Sequence, residues 1–271
     1  MEITVRTFLL LITVSSLASC LRDEPVNIVE TETETKEEEK TDQATLEYVL
    51  GAPADYSTKL EGLSAICLNE AGDGLYVAED NGRVYEFGLD GKLKDTFSFP
   101  SPNDAHDWEG ITRAKDGKIY LCEERLREVY LLSADHKSVS KVSSGPYEDG
   151  GQENQGYEGI AAGDGVLYVA NQSLPLRVYK YSLADKTWET AFDADWATSL
   201  SDIYFDSDDG TLWITDAKTQ KLTQMTTGGE VIKDYDISFV KKPEGFCKDA
   251  ARKQFWFVCD KTSKLQTVSY Q

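Results

Sequence analysis

The sequence predicts an all-β protein, a five-bladed β-propeller closed by an N-terminal strand. Three observations predict it: a short phrase recurs at nearly regular intervals, strand-like runs separated by turns follow each copy, and the last repeat lacks a strand that the first repeat has to spare. Repeats of about 40 to 50 residues with several short strands per unit are typical of propeller blades.

The repeated phrase is a glutamate and a glycine before an apolar run, with serine and aspartate in their place in the fourth copy. Successive copies are 48, 49, 43 and 43 residues apart. Because equivalent positions of a propeller converge on its axis, the acidic residues are expected to form a ring of carboxylates. The copies lie at residues 60–63, 108–111, 157–160, 200–203 and 243–246.

Each phrase opens a set of four predicted strands, which we name A to D in chain order. Aromatic and β-branched runs separated by Gly, Asp and Asn clusters predict them as hairpins. In the first repeat they cover residues 63–67, 75–78, 83–87 and 94–99. The later B strands are predicted at 118–122, 166–170, 211–215 and 255–259, and the later C strands at 128–132, 177–182 and 221–225.

The fifth repeat ends with a run at 264–269 and has no D strand of its own. The run at 46–50, before the first repeat, belongs to no preceding hairpin. We expect it to complete the fifth blade, because closing the ring removes the unpaired edges that an open array would expose. Residues 44–271 are therefore predicted to form the propeller.

The segment ahead of the propeller is predicted to direct the protein to a membrane. Residues 1–19 contain Arg6 and an apolar run that is too short to span a bilayer. They end in Leu-Ala-Ser before Cys20, which resembles the processing site of bacterial lipoproteins. We expect a signal peptide at 1–19 and lipidation of Cys20; an ordinary secretory peptide is the alternative. No aspartate directly follows Cys20, so the resemblance to bacterial lipoproteins implies the outer membrane, with the protein in the periplasm or on the cell surface.

Residues 20–43 are predicted to be an acidic tether. From residue 22 to residue 43 the chain has nine acidic residues, three basic residues and no aromatic residue. Such a composition cannot bury enough apolar surface to fold. The whole chain has a net charge of −20 and the propeller is itself acidic. This excludes nucleic acid and anionic lipid surfaces as favoured partners and favours divalent cations. Membrane contact is expected through the lipid anchor alone.

Catalytic motifs are largely missing from the sequence. It contains no Gly-x-Ser-x-Gly, phosphate-binding loop or His-Glu-x-x-His. His106 precedes the second phrase and is a candidate base or ligand, although a lone loop histidine is more often only solvated. The cysteines after Cys20 are predicted to be buried packing residues rather than disulfides. They are Cys67, Cys122, Cys247 and Cys259, the last two being the pair most suited to a disulfide.

The acidic residues predict a calcium site. The starts of the A strands and the B–C loops share one face of a propeller, where unshielded carboxylates would raise one another's pKa values unless a cation compensates. Oxygen donors without thiolate or imidazole favour calcium. The alternative is that each carboxylate accepts backbone N–H groups of the neighbouring blade. The candidate ligands are Glu61, Glu109, Glu158, Asp202 and Glu244, with the loop acids Glu79, Asp80, Glu123, Glu124, Asp216 and Asp260 around them.

These phrases, with Cys-Glu-Glu-Arg at 122–125 and Leu-Arg-Val-Tyr at 176–179, resemble the SdiA-regulated family of bacterial envelope propellers, distant relatives of NHL-repeat proteins. The resemblance implies a five-bladed propeller with bound calcium and no established reaction. Glu109, Glu158 and Glu244 match the family's Glu-Gly positions. Glu61 and Asp202 depart from its pattern.

Two functions follow from this interpretation. The favoured one is a lipid-anchored calcium-binding propeller that binds a small molecule, a glycan or a protein. The alternative is a metal-dependent hydrolase of an ester, a lactone or a phosphoester, in which the ion polarises the substrate and activates water. An enzyme of that kind needs a base beside its metal, and only His106 or a spare carboxylate is available.

Overall fold

The computed structural model describes residues 47–99, 106–147 and 153–271. Twenty strands in these ranges form five antiparallel sheets of four strands each, with two short 3-10 turns at Glu153–Gln155 and Asp260–Thr262. The predicted all-β, five-bladed propeller is confirmed. None of the helices in the described ranges has the length and apolar character needed to cross a membrane. The predicted signal peptide, Cys20 and the tether lie outside the described residues.

The blades follow one another along the chain. The first contains β2 (Leu63–Leu68), β3 (Gly74–Glu79), β4 (Arg83–Gly88) and β5 (Leu93–Ser98). The second contains β6 (Trp108–Arg113), β7 (Ile119–Glu123), β8 (Glu128–Leu132) and β9 (Val139–Ser144). The third contains β10 (Tyr157–Ala162), β11 (Val166–Asn171), β12 (Arg177–Ser182) and β13 (Thr187–Asp193). The fourth contains β14 (Asp202–Asp206), β15 (Thr211–Asp216), β16 (Lys221–Met225) and β17 (Val231–Asp236). The fifth contains β18 (Pro243–Asp249), β19 (Gln254–Cys259), β20 (Lys264–Tyr270) and β1 (Leu50–Ser57).

The fifth blade is closed by β1, which pairs antiparallel with β20. Backbone hydrogen bonds of 3.1 Å in both directions between Val49 and Gln271 extend the pairing. An N-terminal closing strand is therefore confirmed, but the predicted bounds of 46–50 are wrong. As an outermost strand, β1 exposes most of its side chains and shows no apolar alternation. The apolar residues that predicted a strand lie mainly in the segment just before β1. There Tyr48 packs against Trp213 at a ring-centroid distance of 5.4 Å.

The inner strands β2, β6, β10, β14 and β18 each contact the inner strands of both neighbouring blades, and their glycines permit this approach. A Cβ atom on Gly110 would lie 2.8 Å from the Ile160 nitrogen of the next blade, and one on Gly245 would lie 2.8 Å from the Ala65 Cα. The glycines of the second and fifth copies of the phrase are thus required by backbone packing around the axis.

The four cysteines of the propeller are buried and unpaired within the described residues. Burial raises the pKa of the Cys67 thiol to about 12. On the hairpin proposed for a disulfide, Cys259 lies opposite Pro243 rather than opposite Cys247. The prediction that these residues pack in the core is confirmed.

Candidate metal centre

The register of each inner strand against its B strand identifies the equivalent residues of the five blades. Gly110, Gly159 and Gly245 lie opposite Cys122, Ala170 and Val258, which are equivalent positions of their B strands. In the first blade that place is taken by Ala65, and in the fourth by Asp202. The residue before it defines what we call the axial ring: Ser64, Glu109, Glu158, Ser201 and Glu244.

Two of the predicted ring residues are therefore not in the ring. Glu61 comes three residues before Ser64, and its side chain is exposed. Asp202 takes the glycine position, where its Oδ2 accepts the backbone N–H of Phe246 in the next blade at 2.7 Å. Asp202 thus makes the interblade hydrogen bond that the sequence left open as the alternative. Glu109, Glu158 and Glu244 lie close enough that the charges of Glu109 and Glu244 raise the pKa of Glu158, and the charge of Glu244 raises the pKa of Glu109.

The two serines of the axial ring connect neighbouring inner strands. Ser64 Oγ donates a hydrogen bond to the Trp108 carbonyl of the second blade. Ser201 Oγ donates in the same way to the Pro243 carbonyl of the fifth blade, at 2.8 Å. In both cases the acceptor directly precedes a ring glutamate, so the serines hold the backbone on which Glu109 and Glu244 stand.

The tightest group of acidic side chains forms around Glu109. One carboxylate oxygen from each of Asp107, Glu109 and Glu124 lies within 4.8 Å of the others. The loops that carry Asp107 and Glu124 are joined by a backbone hydrogen bond of 3.1 Å between these two residues. The Glu124 side chain is also hydrogen-bonded to the buried side chain of Glu158. We name Asp107, Glu109, Glu124 and Glu158 the carboxylate cluster.

Burial and mutual repulsion disfavour the charged forms of the carboxylate cluster. Burial raises the pKa of Glu158 well above its usual range, and the charges of Glu109, Glu124 and Glu244 raise it further. Burial likewise raises the pKa of Glu109, with Asp107 and Glu124 adding to the effect. The cluster therefore requires protons or a cation to be stable.

Glu244 has its own counter-ion. Lys242 Nζ lies 2.7 Å from Glu244 Oε1 and 2.8 Å from Asp260 Oδ2. Burial raises the pKa of Glu244, while the bond to Lys242 acts in the opposite direction. On the other side, Arg125 Nε lies 3.0 Å from Asp107 Oδ2. These two cations border the carboxylate cluster, and Glu244 is correspondingly less available to a metal ion.

The acids that end the B strands stabilise the B–C loops instead. Glu123 Oε2 accepts the Leu126 N–H at 2.5 Å, and Glu79 Oε2 accepts the Tyr85 hydroxyl at 2.9 Å. Asp216 Oδ1 accepts two N–H groups of its own turn. In the B–C loop of the second blade, the residue directly after this acid is the one that reaches the site, as Glu124 does after Glu123. Burial raises the pKa of Asp80 at the same position, and the charge of Asp107 adds to it.

His106 packs against aromatic rings. Its ring stacks on Trp108 at a centroid distance of 4.2 Å and meets Tyr130 edge-on at 5.1 Å. Burial lowers the pKa of His106. The residue that the sequence analysis missed is its neighbour Asp107, which has no acidic counterpart before the phrase in the other blades. In the sequence, Asp107 is marked only by its position directly before Trp108, the first residue of the second phrase.

The donor set of the carboxylate cluster fits a hard cation. All of its donors are carboxylate oxygens, three of them close enough to share one ion. Calcium takes such oxygens in flexible geometry, whereas zinc and copper prefer nitrogen and sulfur. The repulsion within the cluster is what a bound divalent cation would relieve.

One family model matches the sequence. It is described as "Phytase-like: Esterase-like activity of phytase", and it matches residues 58–246, more than half of the chain. No protein with a curated description matches the sequence significantly.

Solved propellers resemble the fold at low sequence identity. The glutaminyl cyclase of Myxococcus xanthus has a TM-score of 0.61 at 8% identity, with 83% of this chain and 96% of that chain covered. A gluconolactonase from Xanthomonas campestris has a TM-score of 0.55 at 12% identity, with coverages of 76% and 71%. An auxiliary nutrient binding protein from Bacteroides thetaiotaomicron has a TM-score of 0.52 at 13% identity, with coverages of 77% and 59%. At these identities the likeness concerns the fold alone.

Proposed function

This chain belongs to the phytase-like propeller family, and we propose that it binds calcium in its carboxylate cluster and hydrolyses an ester there. The observation that carries the proposal is the set of oxygens of Asp107, Glu109 and Glu124 within 4.8 Å of one another. Three carboxylates in one place are costly without a cation and well suited to one. The esterase-like activity in the family description supports the choice of reaction. The finer resemblance to the SdiA-regulated family stays a prediction.

Asp107, Glu109 and Glu124 would hold the ion, which when bound polarises the ester and lowers the pKa of water. Glu158 has a different role, because burial and its charged neighbours raise its pKa and keep its proton. Its hydrogen bond to Glu124 then orients that proton within the site. When the surroundings of two carboxyl groups keep one protonated and the other charged, the protonated group can act as a general acid and the charged group as a general base. We assign the acid role, protonation of the leaving group, to Glu158.

The cations beside the cluster favour an anionic ester. Arg125 and Lys242 each bond an acidic residue of the axial face and stay partly exposed. A phosphoester or a carboxylate-bearing ester approaching this face would meet their charge next to the calcium site. This supports phosphoesters ahead of neutral esters and lactones within the proposed reaction class.

A second candidate is the calcium-stabilised binding module. The observation that favours it is the position of His106, the one histidine near the site, which stacks on Trp108 instead of facing the carboxylates. In that case the ion would rigidify the axial face for a small molecule, a glycan or a protein. The nutrient-binding relative of the fold is compatible with such a role.

Turnover measurements separate the two candidates. Purified protein is assayed with p-nitrophenyl phosphate, p-nitrophenyl acetate and a sugar lactone, in calcium and in excess chelator. We expect calcium-dependent hydrolysis that is lost in Glu109→Gln, reduced in kcat in Glu158→Gln, and unchanged in the exposed control Glu61→Gln. If calcium raises the melting temperature but no substrate turns over, the protein is a binding module.

We also propose that the protein is an outer-membrane lipoprotein held by Cys20. The support is the residue pattern around Cys20. Metabolic labelling with a fatty-acid analogue should mark the wild type and the control Cys67→Ala, while Cys20→Ala stays unlabelled and unprocessed or soluble. Equal labelling of wild type and Cys20→Ala would contradict this anchoring.

A further inference from the structure

The end of the axial channel opposite the carboxylate cluster contains a cavity of about 160 Å³. One residue from each inner strand, two places beyond the axial ring, gives it an apolar wall. All five are nearly fully buried. These residues are Ile66, Ile111, Ile160, Ile203 and Phe246. Along every inner strand they lie between the axial ring and the outer mouth of the cavity, so the cavity is distinct from the candidate metal centre.

The charged residues that line this cavity are all basic. They are Arg113, Lys115 and Lys248, and no aspartate or glutamate among the described residues lines it. In a chain with a net charge of −20 this is an unexpected local excess of positive charge. Two of the three have acidic partners outside the cavity wall: Lys115 Nζ lies 2.6 Å from Asp164 Oδ1, and Lys248 bonds Asp206.

Arg113 differs from Lys248, although the two are corresponding residues of the second and fifth blades. Each follows the glycine of its phrase by three places. Lys248 meets Asp206 at the end of the preceding blade's inner strand and also lies 3.1 Å from the Tyr48 hydroxyl. The residue that corresponds to Asp206 in the blade before Arg113 is Asn69.

Asn69 is neutral and already engaged. Its Oδ1 accepts the N–H groups of Asp73 and Gly74 at 3.0 and 3.2 Å. Among the residues that the structure describes, no carboxylate lies within ion-pair distance of Arg113, and its hydrogen bond to the Leu68 carbonyl is a long 3.4 Å. Arg113 also lines a second groove together with Glu70 and Asp116, neither of which forms an ion pair with it among the described residues. The half-buried guanidinium therefore keeps bonding capacity that the fold does not use.

Tyr204 adds an unused donor to the lining of the cavity. Its ring packs edge-on against Phe246 at a centroid distance of 5.6 Å. Within the described part of the chain its hydroxyl has no hydrogen-bond partner, and the residue lines the cavity. Burial raises the pKa of Tyr204 well above its usual range, so the hydroxyl keeps its proton and donates.

We propose that this cavity binds a small organic anion, with Arg113 and Tyr204 bonding its carboxylate or phosphate group and the apolar wall contacting its body. Guanidinium groups bind both anions through paired N–H groups. The anionic group replaces the acidic partner that Lys248 has and Arg113 lacks. The site is independent of calcium and of the proposed ester hydrolysis.

Calorimetric titration of the whole protein with benzoate and with phenylphosphonate tests the proposal, with benzamide as the neutral counterpart. All titrations contain chelator, so that calcium cannot bridge a probe to the carboxylate cluster. We expect both anions to bind and benzamide to bind much more weakly. Arg113→Gln should weaken anion binding about tenfold or more, Arg113→Lys should weaken it less, and Tyr204→Phe should weaken it about fivefold.

Two further variants make the outcome specific. Arg252→Gln removes an arginine that pairs with Asp249 outside the cavity and should bind the probes as wild type does. Glu109→Gln should also retain anion binding, so failure of the metal centre and failure of this site are distinguishable. The proposal is overturned if neither anion binds, if benzamide binds as tightly as benzoate, or if Arg113→Gln and Tyr204→Phe fold normally and keep wild-type affinity.

Discussion

The two ends of the axial channel differ in the charged residues that line their sites, although the same five inner strands build both. At one end these strands present Glu109, Glu158 and Glu244, and at the other they present Arg113 and Lys248. The backbone register is common to the blades, so the charge of each end depends on which residue the sequence places at a repeated position. The fold supplies two convergent sites, and the side chains decide their chemistry.

The two ends also differ in how they can relieve their charge. A buried carboxyl group can take up a proton, and burial together with the charges of Glu109 and Glu124 raises the pKa of Glu158 in that direction. An arginine cannot lose its proton in a protein. The acidic end therefore has two ways to become neutral, by protons or by a cation. The basic end requires an acidic partner, as at Lys248, or a bound anion, as proposed at Arg113.

The largest expected effect is the difference in stability between two lysine variants, one at each end of the axial channel. Lys248→Ala leaves Asp206 buried without its partner and should lower the free energy of unfolding by about 3 kcal/mol or more. Lys242→Ala removes a cation that is half exposed and should cost at most about 1 kcal/mol. Denaturant unfolding of both variants measures the difference. Equal losses of unfolding free energy would mean that the two lysines contribute equally to stability, which would contradict this difference between the ends.

The next largest expected effect is at the acidic end, where stability should depend on pH. The folded state raises the pKa of Glu158 above the ordinary 4.5, so above that pH the folded chain retains a proton that the unfolded chain has released. Stability in chelator should then fall as the pH rises from 4.5 toward the raised pKa. Calcium should reduce this fall, because the ion neutralises the charges of Glu109 and Glu124 that help to raise the pKa of Glu158, while burial continues to raise it.

Melting temperatures of wild type, Glu158→Gln and the exposed control Glu61→Gln, each measured from pH 5 to pH 8, test this point. Glu158→Gln should flatten the fall in chelator by an amount that corresponds to about 1 kcal/mol or more. Glu61→Gln should follow the wild type. A wild-type profile that rises with pH would contradict the raised pKa of the carboxylate cluster.

A smaller effect than that of Lys248→Ala is expected at the uncharged part of the axial ring. Ser201→Ala removes the hydrogen bond to the Pro243 carbonyl and should cost about 1 to 2 kcal/mol. The exposed Ser207→Ala serves as control, and calcium affinity should be unchanged in both. If Ser201→Ala abolished calcium binding, the serines would belong to the metal site and not only to its scaffold.

Much of the fold could be predicted because inner and middle strands are buried. The C strands β8, β12 and β16 have the predicted bounds, since aromatic and β-branched runs between turn residues define them. The closing strand β1 was misplaced because its exposed side chains carry no such pattern. The apolar residue nearby, Tyr48, packs into the core ahead of the strand.

The candidate site was predicted in part. Three ring glutamates were found because sequence spacing determines their position around the axis. Glu61-Gly62 has the residues of the phrase but lies three residues before the ring position, which Ser64 occupies. The pairing of Ala65 with Ala78 shows this difference in position. Asp107 was missed because its significance depends on the B–C loop of its own blade, which brings Glu124 close to it. Arg113 was missed because its significance depends on the neighbouring blade. Sequence alone cannot show that Arg113 bonds the Leu68 carbonyl where Lys248 bonds Asp206.

Calcium titration of chelator-treated protein by isothermal calorimetry tests the central claim most directly, that the carboxylate cluster is a metal site. Wild type and Glu61→Gln should bind calcium with equal affinity, and magnesium should bind more weakly because it demands a tighter octahedral shell. Glu109→Gln should bind calcium about tenfold or more weakly, since it loses a charged ligand. Absence of calcium binding in the wild type, or unchanged affinity in a folded Glu109→Gln variant, would contradict the account.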